Sequence, residues 1–410
     1  MKKHQTYGAS TNAVRTYSDG LKQRRPLSVP ILQSVNFEAE STAKLGKDFR
    51  AGASEVYMRF GHPTAQAAGE KIALLEGAEG GLVFSSGMGA ISTTLLALAG
   101  SSGGHVIAQR EIFAQTFTFL DTTFRGLNIE TTFVPADQIL HIRPLLRPTT
   151  KLIYIESPSN PLLKIADIAA IARIAKEHNI PLLIDSTFAS PALQNPISLG
   201  ADVVLHSATK FLAGHSDVLC GAVVGSRQLI QKIQRMQVLL GTILDPHACW
   251  LLLRGIKTLG VRVREQSTSA LALAQFLNEQ AVVERVTYPF LQSGGSYKIA
   301  SRQMRAGGGV VSFELKGGLP AAQKFVDALK LISTATSLGG VESVIEIPAD
   351  LDFSEEDLGD AAKTTGIALG LIRLSVGIED VADLMADIRQ ALASVASEGT
   401  QADKSLALTR

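Results

Sequence analysis

The sequence predicts an α/β protein in which a large domain, built on a mainly parallel sheet, is followed by a smaller α+β domain. Between residues 61 and 225, short apolar runs alternate with amphipathic stretches, as they do when buried parallel strands are joined by crossover helices. Segment 165–178 has isoleucine and alanine at helical spacing and fits one such crossover. Beyond residue 246 a long helical stretch precedes shorter strands such as VVSFELK at 310–316, which indicates the second domain.

Each predicted strand of the large domain is a short apolar run that ends at polar or turn-forming residues. Such runs are typical of strands that are buried on both faces of a sheet. In chain order they are GLVF at 81–84, HVIA at 105–108, KLIYIE at 151–156, PLLID at 181–185, DVVLH at 202–206 and GAVVG at 221–225.

The chain should therefore contain four segments. Pro26, Pro30 and the lack of a sustained period make the start of the chain an irregular arm, and the last residues are polar. We expect an amino-terminal arm at 1–60, a large domain at 61–255, a smaller carboxy-terminal domain at 256–396 and a polar tail at 397–410.

Composition limits the class of partner. The 410 residues include 39 Lys+Arg and 38 Asp+Glu, so no net field gathers nucleic acid or anionic lipid, and we expect a small-molecule partner.

Cys220 and Cys249 are too few for a disulfide framework. The start MKKHQTYGAS has no apolar signal segment, and apolar runs such as LLALAG at 95–100 are far shorter than the roughly 20 residues that span a bilayer. We expect a cytoplasmic protein without membrane spans.

The string LVFSSGMGAIS at 82–92 is a candidate phosphate cradle. Ligands of open α/β sheets bind beyond the carboxyl ends of the strands, and glycines let the backbone approach an anion at the start of the next helix. An ordinary tight turn between strand and helix explains the string equally well. An NAD-dependent dehydrogenase is disfavoured, because Ser92 stands where the dinucleotide fingerprint needs a third glycine, and a Walker lysine is also missing.

Asp185 directly follows the apolar run PLLI. A carboxylate at a strand end can hold a cationic ring nitrogen, a metal or an imidazole, or it can merely cap the following turn. From this residue alone, the capping role is favoured.

Lys210 follows the strand DVVL within HSATKFLAGHSD at 206–217. Two hydroxyl residues before it and small residues after it suit a Schiff-base lysine whose neighbours bind a phosphate. The alternative is a solvated surface lysine, which is favoured from this residue alone. His206 and His215 do not complete a ligand set with any nearby carboxylate, so we expect both to be structural and no metal to be bound.

Arg373 lies inside an apolar strand in LIRLSVGIED at 371–380. A strand arginine that faces a cleft is costly unless it meets an anion, and its planar fork matches a substrate carboxylate. A structural ion pair with an acidic side chain is an equal alternative.

These four features together are what a pyridoxal phosphate (PLP) enzyme acting on an amino acid needs. The sequence also resembles, over nearly its whole length, the trans-sulfuration enzymes of Cys/Met metabolism: cystathionine γ-synthase, cystathionine γ-lyase, methionine γ-lyase and the homoserine-ester sulfhydrylases. The motifs that carry the resemblance are YMRFGHPT at 57–64, FSSGMGAI at 84–91, ESPSNP at 156–161, IDSTFASP at 184–191, HSATKFLAGHSD at 206–217, SLGGVES at 337–343 and IRLSVGIED at 372–380.

The resemblance implies a role for each matching residue. Lys210 would carry the cofactor in a Schiff-base linkage, and Asp185 would keep its ring nitrogen protonated. Asn160 would lie near the phenolic oxygen of the cofactor and contact the substrate, whose carboxylate Ser337 and Arg373 would hold. The phosphate would be bound by backbone groups and hydroxyls of Ser86, Gly87, Met88, Ser207 and Thr209.

The resemblance also implies a shared active site. Tyr57 and Arg59 would reach the phosphate in a neighbouring subunit, and the arm would cross between subunits. The active unit would be a homo-oligomer, a dimer that usually pairs into a dimer of dimers. The implied fold is that of the aspartate-aminotransferase-like PLP-dependent transferases.

The implied reaction is elimination at the γ-carbon, as a carbon–sulfur lyase acting on cystathionine, homocysteine or methionine. The alternative is γ-replacement with a thiol, as in cystathionine γ-synthase or an O-acyl-homoserine sulfhydrylase. A non-catalytic scaffold is disfavoured, because Lys210, Asp185 and Arg373 are all present.

Four departures from the family pattern bear on the reaction. Phe113 replaces the tyrosine that stacks on the cofactor ring, so stacking survives but the phenol is lost. Gln115 replaces the cysteine typical of methionine γ-lyases, and Thr336 replaces a glutamate common in enzymes that handle cystathionine. The segment IPADLDFSEED at 347–357 replaces a threonine-histidine segment. Elimination and replacement therefore both stay open.

Overall fold

The computed structural model describes residues 7–15, 26–100, 103–292, 296–352 and 367–407. The chain divides into two units, of which the first comprises Met1–Ser157 and Ala166–Val261 and the second Pro158–Ile165 and Arg262–Arg410. The domain limits expected from the sequence stay predictions. Within the described part of the chain, no helix is long and apolar enough to cross a membrane.

The first unit contains a seven-stranded sheet in the order β1-β7-β6-β5-β4-β2-β3. All six predicted strands are present, and a seventh, β3, lies at one edge, where its mostly polar, partly exposed sequence ETTFV carries no apolar signal. The strands are β1 Gly80–Phe84, β2 His105–Gln109, β3 Glu130–Val134, β4 Thr150–Glu156, β5 Leu182–Asp185, β6 Val203–His206 and β7 Gly221–Gly225.

The sheet is mainly parallel, as predicted, but the prediction is wrong for β7. This strand pairs antiparallel with both β1 and β6. A parallel neighbour needs a long crossover, usually a helix, whereas the connection 207–220 contains no α-helix and brings the chain straight back.

Helices cover the sheet, and one of its faces forms a core with α4 and α9 in which Phe84, Leu95, Tyr154 and Leu183 are fully buried. The α-helices of this unit are α1 Ala9–Val14, α2 Thr42–Ala51, α3 Pro63–Glu76, α4 Gly87–Ala99, α5 Ala114–Thr118, α6 Phe124–Gly126, α7 Ile168–Glu177, α8 Ser190–Leu193, α9 Arg227–Leu240 and α10 Pro246–Ile256, and the next helix, α11 Leu259–Asn278, continues into the second unit. Short helices of other types are the π-helix Phe119–Thr123 and the 3₁₀ helices Ala136–His141, Arg143–Leu145 and Pro196–Leu199.

Local sequence explains several helix ends. The predicted crossover is α7, whose amino terminus is capped by Asp167 through the N–H of Ala170 at 3.0 Å. The arm is less irregular than expected, because Ser41 caps α2 through the N–H of Lys44 and Gly52, at φ 68°, ends the helix.

The second unit contains a five-stranded sheet in the order β10-β11-β12-β9-β8. Its strands are β8 Val283–Thr287, β9 Val310–Leu315, β10 Ser333–Thr334, β11 Val344–Glu346 and β12 Leu371–Ser375, and its further helices are α12 Tyr297–Gln303, α13 Gly318–Asp327, α14 Pro348–Asp352 and α15 Val381–Ala407. The core includes the fully buried Phe313, Phe325 and Ile372. The backbone of α15 stays helical as far as Ala407, within the segment expected to be a polar tail.

Candidate active site

The cradle string forms a strand, a turn and a helix, as predicted. Strand β1 ends at Phe84 and α4 begins at Gly87, where the hydroxyl of Ser86 accepts the N–H of Gly89 at 2.9 Å and caps the helix. A Cβ atom on Gly87 would lie 2.6 Å from Oγ of Ser207, so only glycine permits this approach. The structure thus brings the first and third motifs together, with helix N–H groups that have no acceptor within the helix beside a serine hydroxyl.

Lys210 lies in a tight turn just after β6. Two backbone hydrogen bonds close the turn. The N–H of Lys210 donates to the carbonyl of Ser207 at 3.1 Å, and the N–H of Gly214 donates to the carbonyl of Lys210 at 2.8 Å. The side chain is half-buried rather than fully solvated. The neighbouring hydroxyl of Thr209 bonds to the backbone N–H and carbonyl of Cys220, at 2.8 and 3.0 Å. A phosphate contact from Thr209 therefore requires its hydroxyl to turn, and stays a prediction.

Asp185 is a buried carboxylate at the end of β5. Its Oδ1 accepts from the N–H and the hydroxyl of Thr187 at 3.0 and 2.5 Å, so the capping role does exist. Its Oδ2 accepts from the phenol of Tyr154 at 3.3 Å. Burial raises the pKa of Asp185, while the Thr187 hydrogen bonds, the nearby His206 and the Tyr154 phenol oppose that rise. A cationic partner would favour the ionised carboxylate further.

Tyr154 is a site residue that the sequence reasoning missed. It is fully buried, and burial together with the carboxylates of Asp185 and Glu156 raises its pKa well above the usual value, so the phenol stays a donor. In the register of β4 and β5, Tyr154 pairs with Leu183, two residues before Asp185. The alternation of side chains along a strand was therefore the signal that could have placed it beside Asp185.

Phe113 presents a partly open ring, 37% exposed, at the start of α5. Its backbone N–H donates to Oε2 of Glu156 at 2.9 Å. Glu156, a second missed residue, is buried and pairs with Asp185 across β4 and β5. The loop that carries the aromatic ring is thus attached to the strand end next to Asp185.

The two histidines of the third motif make separate contacts. Nε2 of His206 lies 2.8 Å from Oε1 of the equally buried Glu76. Nδ1 of His215 lies 2.7 Å from the carbonyl oxygen of Ala213. Each imidazole thus has a partner within the first unit.

The second unit gathers Asn160, Ser337 and Arg373 around one guanidinium. Arg373 is 6% exposed and donates from Nη1 to Oδ1 of Asn160 at 2.9 Å and from Nη2 to the carbonyl of Ser337 at 3.0 Å. Its Nη2 also lies 2.7 Å from Oε1 of Glu346, which the sequence reasoning did not identify. The ion-pair alternative is therefore present in the structure, within the same group of residues as the proposed carboxylate site.

The loop 337–343 is held in an unusual conformation. Ser337 has a φ of 81°, which is uncommon for a residue other than glycine and costs of order 1–3 kcal/mol. The N–H of Gly339 donates to Oγ of Ser375 at 2.8 Å, and the amide of Gln266 donates to the carbonyl of Gly340 at 2.6 Å. These bonds fix the backbone that turns the Ser337 carbonyl toward Arg373.

Tyr57 and Arg59 lie exposed and pack on each other. The guanidinium of Arg59 lies 4.8 Å from the ring centre of Phe60 and donates to the carbonyl of Val238 at 3.3 Å. In the part of the chain that the structure describes, the hydrogen bonds and ring contacts of Tyr57 and Arg59 do not involve the cradle. Their role at a neighbouring subunit stays a prediction.

The residues of the first unit fit pyridoxal phosphate, the cofactor that the sequence predicts. A phosphate suits the helix start at Gly87 beside Ser207, and a protonated ring nitrogen suits the buried carboxylate of Asp185. A planar ring suits the open face of Phe113. The half-buried Lys210 follows β6, which is the neighbour of β5 in the sheet.

Comparisons with known proteins agree with this fit. A family model described as Cys/Met metabolism PLP-dependent enzyme matches residues 10–393. L-methionine gamma-lyase of Pseudomonas deceptionensis is 41% identical over 399 residues, which are 96% of this chain and 99% of that protein. The chloroplastic cystathionine gamma-synthase 1 of Nicotiana tabacum is 41% identical over 372 residues, 90% of this chain and 68% of that protein. The crystal structure of metB from Corynebacterium glutamicum has a TM-score of 0.89 and 36% identity, and covers 95% of this chain and 99% of that one.

Proposed function

The chain belongs to the Cys/Met metabolism PLP-dependent enzymes, with pyridoxal phosphate as its cofactor, and from that premise we propose that it is a carbon–sulfur lyase. It would cleave the bond between sulfur and the γ-carbon of cystathionine, homocysteine or methionine. The observation that carries this choice is the similarity to L-methionine gamma-lyase, which extends over 99% of that protein.

The chemistry divides between the cofactor and the chain. Bound pyridoxal phosphate supplies an electron sink for negative charge at the α-carbon of an amino acid. The amine of Lys210, half-buried after β6, would remove the α-proton and move protons at the β-carbon. Asp185 would hold the ring-nitrogen proton, and the hydrogen bond from Tyr154 would orient its carboxylate.

The group around Arg373 would bind the α-carboxylate of the substrate. The guanidinium fork matches a carboxylate in two parallel hydrogen bonds, and the Ser337 carbonyl and the Asn160 side chain keep the fork oriented. Glu346 would compete with the substrate for Arg373, which would restrain the affinity of the site for carboxylates.

Phe113 supports the second candidate function, γ-replacement. A phenylalanine cannot protonate a leaving thiolate, whereas the carboxylate of an O-acyl-homoserine leaves without such help. In that reaction a thiol takes the place of the leaving group at the γ-carbon, as the name of the tobacco relative, cystathionine gamma-synthase, indicates for that protein.

Product analysis separates the two reactions. The full-length enzyme would be given cystathionine, methionine, homocysteine or an O-acyl-homoserine, each with and without an added thiol. Release of thiol and ammonia from methionine or cystathionine alone supports the lyase. Turnover that needs both the ester and the thiol would reject it in favour of replacement.

We further propose that the enzyme is cytoplasmic and works as a homo-oligomer, most simply a dimer of dimers, whose arm at 1–60 carries Tyr57 and Arg59 to a neighbouring subunit. The exposure of both side chains supports this. Mixing inactive Arg59→Ala subunits with inactive Lys210→Ala subunits should restore part of the activity. An absence of recovery in oligomers that are demonstrably mixed would reject the shared site.

A further inference from the structure

The ring of Phe113 has no polar atom with which to fix its own position. A tyrosine at this place could anchor its ring through the hydroxyl, but a phenylalanine depends on its backbone and on packing. The residue directly precedes α5, and its carbonyl accepts the N–H groups of Thr116 and Phe117 within that helix. Its own N–H is the backbone group that can attach it to the strands of the sheet.

Glu156 supplies this attachment. Its Oε2 accepts the N–H of Phe113 at 2.9 Å, and the residue is only 3% exposed. A hydrogen bond to a carboxylate is shorter and stronger than one between neutral groups. Burying a carboxylate is costly, so this bond must offset part of that cost.

Glu156 also lies directly beside the residue proposed to bind the ring nitrogen. It pairs with Asp185 in the register of β4 and β5, and the N–H of the next residue, Ser157, donates to the carbonyl of Asp185 at 3.1 Å. One strand end therefore sets the backbone positions of both Phe113 and Asp185.

We propose that Glu156 is a positioning residue that holds the Phe113 ring in stacking register with the pyridine ring of the cofactor. The inference rests on the proposed function, because it takes the binding of pyridoxal phosphate from there and the stacking role of Phe113 from the family resemblance. In this proposal Glu156 touches neither cofactor nor substrate, and its effect on the Phe113 ring runs through the backbone of residue 113.

The same loop contains a matched control. Oε2 of Glu111 accepts the N–H of Ala136 at 2.8 Å, which is also a bond from a carboxylate to the backbone. It ties the loop to a different segment and does not bear on the backbone of residue 113. Loss of Glu111 should therefore disturb the loop without moving the ring.

A double-mutant cycle on the full-length enzyme tests the proposal. Glu156→Leu removes the acceptor at similar volume, Glu156→Gln keeps an acceptor oxygen, and Phe113→Ala removes the ring. The test also includes the double variant Glu156→Leu with Phe113→Ala, and Glu111→Leu. Each protein would be stripped of its cofactor and then titrated with pyridoxal phosphate. The readouts are the dissociation constant and the visible circular dichroism of the bound cofactor.

We expect Glu156→Leu and Phe113→Ala each to weaken cofactor binding about three- to tenfold, the size of a stacking interaction, and to reduce the dichroic band. In the Phe113→Ala background, Glu156→Leu should add less than about a twofold change, because the two residues act as a unit. Glu156→Gln should retain most of the affinity, and Glu111→Leu should leave both readouts near those of the parent.

Equal losses from Glu156→Leu with and without the Phe113 ring would overturn the proposal, as would an equal loss from Glu111→Leu or an unchanged affinity in Phe113→Ala. Because the titration uses the cofactor alone, these results are independent of the reaction. Failure of the lyase assignment would show instead as a wild-type protein that binds pyridoxal phosphate but releases no thiol from methionine or cystathionine.

Discussion

Nη2 of Arg373 lies 2.7 Å from Oε1 of Glu346, its directly paired neighbour in the register of β11 and β12. Both side chains are buried in the second unit, at 7% and 11% exposure. Removing one member of a buried ion pair leaves the other charge uncompensated, which costs far more than losing a pair at the surface.

Glu346→Gln should therefore lower the free energy of unfolding by about 3 kcal/mol, measured by urea denaturation. The more exposed pair of Arg285 and Glu314, at 57% and 18% exposure on β8 and β9 of the same sheet, provides the control. Glu314→Gln should cost less than about 1 kcal/mol. Equal costs at the two positions would mean that the Arg373–Glu346 pair is as well solvated as the Arg285–Glu314 pair.

Arg373→Lys should weaken substrate binding tenfold or more. Each charge-assisted bond contributes about 1.5–3 kcal/mol, and an ammonium group cannot form two parallel bonds to a carboxylate. The Michaelis constant for methionine or cystathionine checks this, with Arg285→Lys as a control. An unchanged constant in folded Arg373→Lys protein would leave Arg373 with a purely structural role.

Lys210→Ala should abolish turnover and the visible absorption band of the bound cofactor. The residue stands in the turn after β6, and its neighbour Ser207 approaches the backbone of Gly87. Borohydride reduction followed by peptide mapping should find the cofactor on Lys210. Attachment at any other lysine contradicts the assignment, and Lys151→Ala, at an exposed lysine, should leave the band in place.

Asp185 predicts a pH dependence of stability in the cofactor-free protein. Burial raises its pKa above the unfolded value of 3.8, so over that interval the folded state binds more protons than the unfolded state. Stability from this group is therefore fully present below about pH 3.8 and is lost as pH rises through the raised folded pKa.

Asp185→Asn should remove this loss and stabilise the cofactor-free protein near neutral pH, by about 1 kcal/mol, while weakening its binding of pyridoxal phosphate. Urea denaturation at about pH 5 and about pH 7.5 measures the first effect, and cofactor titration the second. An Asn variant that is less stable than the parent at neutral pH would show that Thr187 and Tyr154 already compensate the buried charge.

Phe113→Tyr should raise elimination from cystathionine or methionine more than turnover of an O-acyl-homoserine. A thiolate is a poor leaving group and gains from a proton donor, whereas a carboxylate leaves unaided. A transplanted phenol without its supporting neighbours should deliver about tenfold or less. Steady-state rates on both substrate classes decide the matter, and an equal change on both would mean that residue 113 only packs against the ring.

Much of the fold was predictable because the strands of the first unit are apolar runs with clear ends. The direction of β7 was not, because pairing with β1 and β6 depends on a connection without a helix rather than on the strand itself. The edge strand β3 was missed because its side chains are mostly polar.

The candidate site also divides into residues that the sequence predicted and residues that it did not. Lys210, Asp185 and Arg373 stand out because a polar residue at the end of, or inside, an apolar run is unusual. Glu156 also ends an apolar run, KLIYIE at 151–156, but its role, like the roles of Tyr154 and Glu346, comes from partners far away in the sequence and was not predicted. Glu346 opposes Arg373 only once β11 and β12 have paired, and Glu156 reaches Phe113 only across the end of β4.

The edge position of β1 also matters during synthesis of the chain. This strand leads into the cradle, yet among the described strands it pairs with β7 alone, and Phe84 forms a further bridge to Ile243. At about 5–20 residues per second, a ribosome needs on the order of ten seconds to advance from the end of β1 to β7. Throughout that time the SSGMG string has emerged without its sheet partner or Ser207. With the proposed roles of this string and Lys210, a nascent chain would acquire its cofactor only after the whole large sheet has been made.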